Sequence, residues 1–127
     1  MQMNLTKYTL SFLALITFMY SPEPAIAGDV EITTATARMS GDRWTFSVTL
    51  RHGDTGWDHY ADLWQVYTPS GELLGERVLL HPHVQEQPFT RSLSGVEVPD
   101  DVSEVIIRAR DSVHGQSPQN YRLVLPR

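Results

Sequence analysis

The chain contains five histidines, and they fall in three short strings: His52 and His59 in "HGDTGWDHYADLW", His81 and His83 in "HPHVQEQPFTRSL", and His114 in "RARDSVHG". The H-P-H string has the most specific spacing. Proline restricts the residue before it to extended backbone, and residues two apart on such backbone project to one side, so His81 and His83 are expected to present two imidazoles together. That pair suits a divalent transition metal, zinc or copper above all, once a further ligand is supplied. His52 and Asp111 are candidates for it, because each continues the inward parity of an alternating apolar stretch. His59 is another. The competing reading is a hydrogen-bonded scaffold in which His52 pairs with Asp111, since a buried polar group at the mouth of a sheet needs a partner.

The charged residues around these histidines read as a network. Asp54, Asp58 and Asp62 recur at intervals of four, but calcium loops alternate their oxygen ligands more densely, so these carboxylates are assigned to arginines instead. Arg91 shares parity with Phe89 and Leu93 and therefore points toward the interior or the pole, where a guanidinium needs carboxylates; Asp58 and Glu86 are the obvious ones. Trp57 and Tyr60 are packing lids over this network or, alternatively, an exposed recognition surface. His114, beside a glycine, either completes a site or faces water. Support for catalysis is slight. Ser112, His114 and Asp111 are too close in sequence to close a relay, and neither a nucleophile elbow nor a helical H-E-x-x-H occurs. A His/Asp metal hydrolase is the only enzymatic form the residues allow.

The elements that must position these residues are strands. "RWTFSVTLRH" alternates without a break, with Trp44, Phe46, Val48 and Leu50 on one face, and "EVIIRARDS" places Val105, Ile107 and Ala109 together. Further strands are expected at about 30–39, 61–68, 76–80, 89–98 and 120–125, with Trp64 of the third in the core. Short strands at this spacing, separated by turn signals, predict an all-β fold: a seven-stranded antiparallel sandwich of immunoglobulin or fibronectin III type. Consecutive antiparallel strands reverse direction, so the second, fourth and sixth connections share one end of the domain. Those connections carry all the histidines, and Gly28 lies at the same end.

The first 27 residues read as a secretory signal peptide: a cation at Lys7, an apolar run from Leu10 to about Tyr20, then Pro22, Pro24 and an A-x-A site ending at Ala27. The run is far shorter than the roughly 20 residues a membrane span needs. The expectation is a periplasmic or secreted chain of one domain, residues 28–127, without a membrane span after cleavage. The sequence has no cysteine, which removes disulfides and thiolate ligands and leaves burial alone to hold the fold. A net charge of −5 and the lack of a basic stripe argue against nucleic acid as a partner.

The three histidine strings resemble those of a group of short exported bacterial proteins, over nearly the whole chain after the leader, and the resemblance implies no particular activity. By architecture alone the chain is similar to periplasmic copper-resistance sandwich proteins. Those begin, after processing, with a histidine that chelates copper through its own amine, whereas here the residues are Gly28-Asp29-Val30. Two functions stay open from the sequence. One is an exported binding module for copper or zinc at a His/Asp-rich pole, and the other is a protein-interaction module whose polar pole presents Trp57 and Tyr60 to a protein partner.

Overall fold

The computed structural model describes residues 28–127, and the leader read from the sequence lies outside them. Eight strands follow one another: β1 Glu31–Ser40, β2 Arg43–Arg51, β3 Ala61–Tyr67, β4 Leu73–Val78, β5 Phe89–Val96, β6 Glu104–Asp111, β7 Gly115–Gln116 and β8 Tyr121–Val124. They form two antiparallel sheets, β1-β2-β5 facing β4-β3-β6, with β7 and β8 both on the outer edge of β6. The structure thus holds one strand more than the seven expected. The additional one is β7, a two-residue pairing of Arg110 with Gln116 and Asp111 with Gly115, formed where the chain turns back after β6. β8 then takes over the same edge further along, from Ile107 to Glu104.

Alternation decides what is buried. Trp44, Phe46, Val48 and Leu50 of β2 pack against Trp64 and Val66 of β3 and Val105, Ile107 and Ala109 of β6 in one apolar cluster. The predicted fourth strand sits earlier than its apolar residues suggested: β4 begins at Leu73, because the turn after β3 is closed by Thr68, whose N–H donates to Glu72 O and whose Oγ1 accepts from the Glu72 N–H. Gly75 lets β4 lie close to β5. A Cβ there would stand 2.9 Å from Leu93 Cδ2 and 3.3 Å from Val96 Cγ2.

Register places the poles. Glu31 faces Arg51, Leu50 faces Phe89, Leu63 faces Val78 and Ala61 faces Asp111, so the start of β1 and β3 and the ends of β2, β4 and β6 lie together. The connections 52–60, 79–88 and 112–114 therefore meet at one pole, and every histidine is on them. Two glutamines tie the sheets there. Gln119 acts as a strand partner for β1, its Oε1 accepting from Ile32 N at 2.7 Å and its Nε2 donating to Ile32 O at 3.0 Å. Gln87 bridges the other side, accepting from His52 N at 3.0 Å and donating to His83 O at 2.9 Å.

Gly75→Val is expected to destabilise the fold by about 1–3 kcal/mol, since its branches must displace both Leu93 and Val96. Chemical denaturation of parent and variant measures this, and an unchanged midpoint would show that β5 yields freely.

Candidate metal centre

β2 ends at Arg51, and the parity of its core face turns His52 inward, leaving it 3% exposed. Two residues on, Asp54 is also buried. Its Oδ1 accepts from His52 Nδ1 at 2.5 Å and from Ala61 N at 2.9 Å, while Oδ2 accepts from His83 N at 2.7 Å. A carboxylate so engaged can only accept, so Nδ1 of His52 carries a proton, and in the neutral ring the lone pair lies on Nε2. That Nε2 is buried without a hydrogen-bond partner and faces Asp111 Oδ2 at 3.7 Å.

His59 arrives by a tight reversal in which His59 N donates to Gly56 O and Thr55 N donates to His59 O. Gly56 has φ +145°, a conformation glycine adopts without strain. The His59 ring stands edge-on to both His52 and His114, with centroids 4.9 Å away in each case. Its Nε2 is buried and 3.3 Å from Asp111 Oδ1, though not in hydrogen-bonding geometry.

Asp111 closes the group from the end of β6. Its Oδ1 accepts from the N–H groups of Val113 (2.8 Å) and His114 (2.6 Å), and its Oδ2 accepts from His114 Nδ1 at 3.1 Å. Burial works against charge on this carboxyl. The two backbone donors and the His114 ring outweigh it, and they hold Asp111 below the usual carboxylate range. Two donor sets result, each with its ligand atoms within 4.8 Å of one another: His52, His59 and Asp111, and Asp29, Asp111 and His114. Only Asp111 belongs to both.

His81 and His83 sit on the far side of Asp54. Their rings are 4.6 Å apart, so the H-P-H string does bring them together. His83 is buried and stacked on Phe89, with centroids 3.9 Å apart and planes 8° off parallel. Arg91 Nη2 donates to His83 Nε2 at 2.8 Å. A guanidinium has no acceptor, so the ring proton lies on Nδ1 and the Nε2 lone pair is in use. Burial lowers the His83 pKa, and the positive charges of Arg91 and His81 lower it further, against the pull of Glu86 and Asp54. Among the described residues, no third His, Asp or Glu ligand atom joins His81 and His83 within 4.8 Å.

The charged network is divided among several partners. Arg91 reaches Glu86 at 3.4 Å and donates to Thr90 O at 2.7 Å. Asp62 takes both arms of Arg110 at 3.1 Å, Asp58 is exposed, and Asp54 serves a histidine and the backbone instead of an arginine. Trp57 is 67% exposed and leans edge-on against Tyr60, their ring centroids 5.6 Å apart. Sequence reasoning missed Asp29, Gln87 and Gln119. Asp29 carries no periodic signal, and a glutamine's role as a strand partner shows only once the sheets are closed.

No protein-family model matches the chain. A protein of Halomicrobium mukohataei described as a "putative lipoprotein" is 45% identical over 92 residues, covering 72% of this chain and 45% of that protein. The chain thus spans less than half the length of that relative. Among solved structures, a hypothetical protein from Pyrococcus horikoshii OT3 aligns over 77% of this chain and 89% of its own, with a TM-score of 0.52 and 12% identity. A superoxide reductase in the oxidised state aligns over 77% and 90%, with a TM-score of 0.51 and 14% identity. These two share the fold.

Asp54→Asn replaces a pure acceptor with a group that must turn a donor toward one of three N–H groups, and the expected loss is about 3 kcal/mol in denaturant-induced unfolding. The pH dependence has a definite sign. A folded-state pKa below the ordinary 6.5 of His83 makes the neutral ring stabilising; that contribution is complete above pH 6.5 and is lost as pH falls through the lowered folded value. The stability gap between the parent and His83→Gln should therefore narrow between pH 7.5 and pH 5. A constant gap would remove His83 from the titration.

Proposed function

We propose that the chain is an exported binding module whose histidine pole holds one divalent transition-metal ion, zinc or copper, through His52, His59 and Asp111. One observation carries this reading: the buried Nε2 of His52, without a hydrogen-bond partner, faces the carboxylate of Asp111. With the ring neutral two acceptors face one another, and a metal ion between them relieves their repulsion, as a second ring proton would. The carboxylate of Asp54 on the opposite ring nitrogen is the outer partner that commonly fixes the tautomer and orientation of a ligating imidazole. Two imidazoles and one carboxylate suit zinc or copper. In this reading His83 braces Asp54 through its backbone N–H.

Export is supported by the leader pattern and by the description of the Halomicrobium relative as a putative lipoprotein. The strand order, β1-β2-β5 against β4-β3-β6-β8, supports an immunoglobulin-like arrangement. A second reading, a protein-interaction module, is favoured by the 67% exposure of Trp57, a side chain that anchors many interfaces.

The deciding experiment is titration of the protein from Gly28 with zinc and copper at pH 7.5 and at pH 5, followed by melting temperature. Imidazoles ligate only when neutral, so stabilisation is expected at the higher pH and not at the lower. At a hundredfold excess over Kd the shift should be on the order of 10 °C. His59→Ala, which leaves Asp54 and its partners intact, should abolish it. No shift at pH 7.5, or an equal shift in His59→Ala, would hand the pole to the interaction reading.

A further inference from the structure

We infer that the outer face of the β4-β3-β6 sheet carries a separate binding site, a cavity that takes a small organic carboxylate against the Arg108 guanidinium. It is independent of the metal reading.

Register builds the cavity. Trp64 and Val66 of β3 and Val105, Ile107 and Ala109 of β6 face the core, so the residues between them, Gln65, Tyr67, Ile106 and Arg108, face outward. Tyr67 pairs with Ile106 and Ile106 with Arg122, which sets one row across β3, β6 and β8. Gln65 pairs with Arg108 in the next row, and because Ile107 pairs with Tyr121, Asn120 comes level with Arg108 on its other side. Tyr67, Ile106, Arg108, Asn120 and Arg122, with Pro69 of the turn after β3, line a cavity of about 300 Å³. That is the lower end of the range for ligand pockets and suits a small molecule.

The charge of this lining is one-sided. Two arginines belong to it and no carboxylate does, in a chain whose net charge is −5. Two neighbouring arginines are already neutralised, Arg110 by Asp62 and Arg122 by Glu104. Arg108, between them on the sheet, has no ion-pair partner among the described residues, and its Nε is buried without a hydrogen-bond partner. Gln65, opposite it, is turned to other groups: its Oε1 accepts from the Tyr67 hydroxyl at 2.7 Å and its Nε2 donates to Glu76 at 2.8 Å. A half-buried guanidinium without a counterion calls for an anion, and its planar fork matches a carboxylate. Ile106, Pro69 and Tyr67 are the apolar and aromatic members of the lining, so the ligand they favour carries an apolar body behind that carboxylate.

The test follows backbone amide shifts by NMR in the protein from Gly28, which includes every strand of the fold. Metal is first stripped with a chelator that is then dialysed away, so that no ion at the histidine pole can capture a carboxylate. Three probes are titrated separately: benzoate, benzamide, which has the same shape without the charge, and inorganic phosphate, which has charge without an apolar body. Benzoate is expected to move the amides of Ile106, Arg108 and Asn120 saturably, and the other two to bind at least about 10-fold more weakly. Arg108→Gln should weaken benzoate by about 10-fold or more, the equivalent of a hydrogen bond to a charged group. Arg110→Gln, on the same face but at an arginine held by Asp62, should change it by less than about threefold. Asn120→Asp, an exposed change that sets a carboxylate beside Arg108, should weaken benzoate as much as Arg108→Gln does, and it tests the site even where Arg108→Gln fails to fold. No saturable shift with benzoate, shifts confined to the histidine pole, or benzamide or phosphate binding as tightly as benzoate would each overturn the inference. So would benzoate affinity unchanged in Asn120→Asp or in a folded Arg108→Gln.

Discussion

The carboxylate of Asp54 is the constraint on which the pole depends. It is buried where two sheets part, and a charge in that position persists only if donors surround it. Three do, and they come from separate segments: the His52 ring at the end of β2, the Ala61 N–H at the start of β3, and the His83 N–H in the 79–88 connection. One side chain thereby fixes the tautomer of a buried imidazole, the entry of a strand and the position of the longest connection from the other sheet.

From that hub the chemistry runs in two directions. On one side His52 turns its unpartnered nitrogen toward Asp111, with His59 and His114 edge-on around it. On the other side His83 lies flat on Phe89 and accepts a hydrogen bond from Arg91, which also reaches Glu86. The two halves use histidine in opposite ways. His52 is held by a carboxylate and leaves its Nε2 without a hydrogen-bond partner, whereas His83 is held by a guanidinium and has its Nε2 lone pair already occupied.

The architecture and the pole were legible in the sequence because both follow from parity. Unbroken alternation in β2 and β6 puts Trp44, Phe46, Val48 and Leu50 and Val105, Ile107 and Ala109 inside, and the same parity turns inward His52, one residue past β2, and Asp111, the last residue of β6. The two-residue strand β7 gave no such signal, since two residues cannot show a period. Partners were harder to read than positions. Asp54 lies in the same spaced series as Asp58 and Asp62, and spacing cannot tell which carboxylate will meet an arginine, which a histidine and which only water. That depends on the register between β3 and β6, which brings Arg110 alongside Asp62.

The two ends of the described chain leave from opposite poles. Gly28 and Asp29 lie beside the histidines, whereas the last residues run past the start of β6, where Arg127 donates to Val102 O and Pro99 O and its guanidinium rests over the Trp44 ring. Orientation relative to any surface the protein is fixed to therefore follows from which end is attached. Attachment at the N-terminal side turns the histidine pole toward the surface and restricts its traffic with the surrounding solution. A label or fused domain at the C-terminal side leaves the pole facing outward and unobstructed.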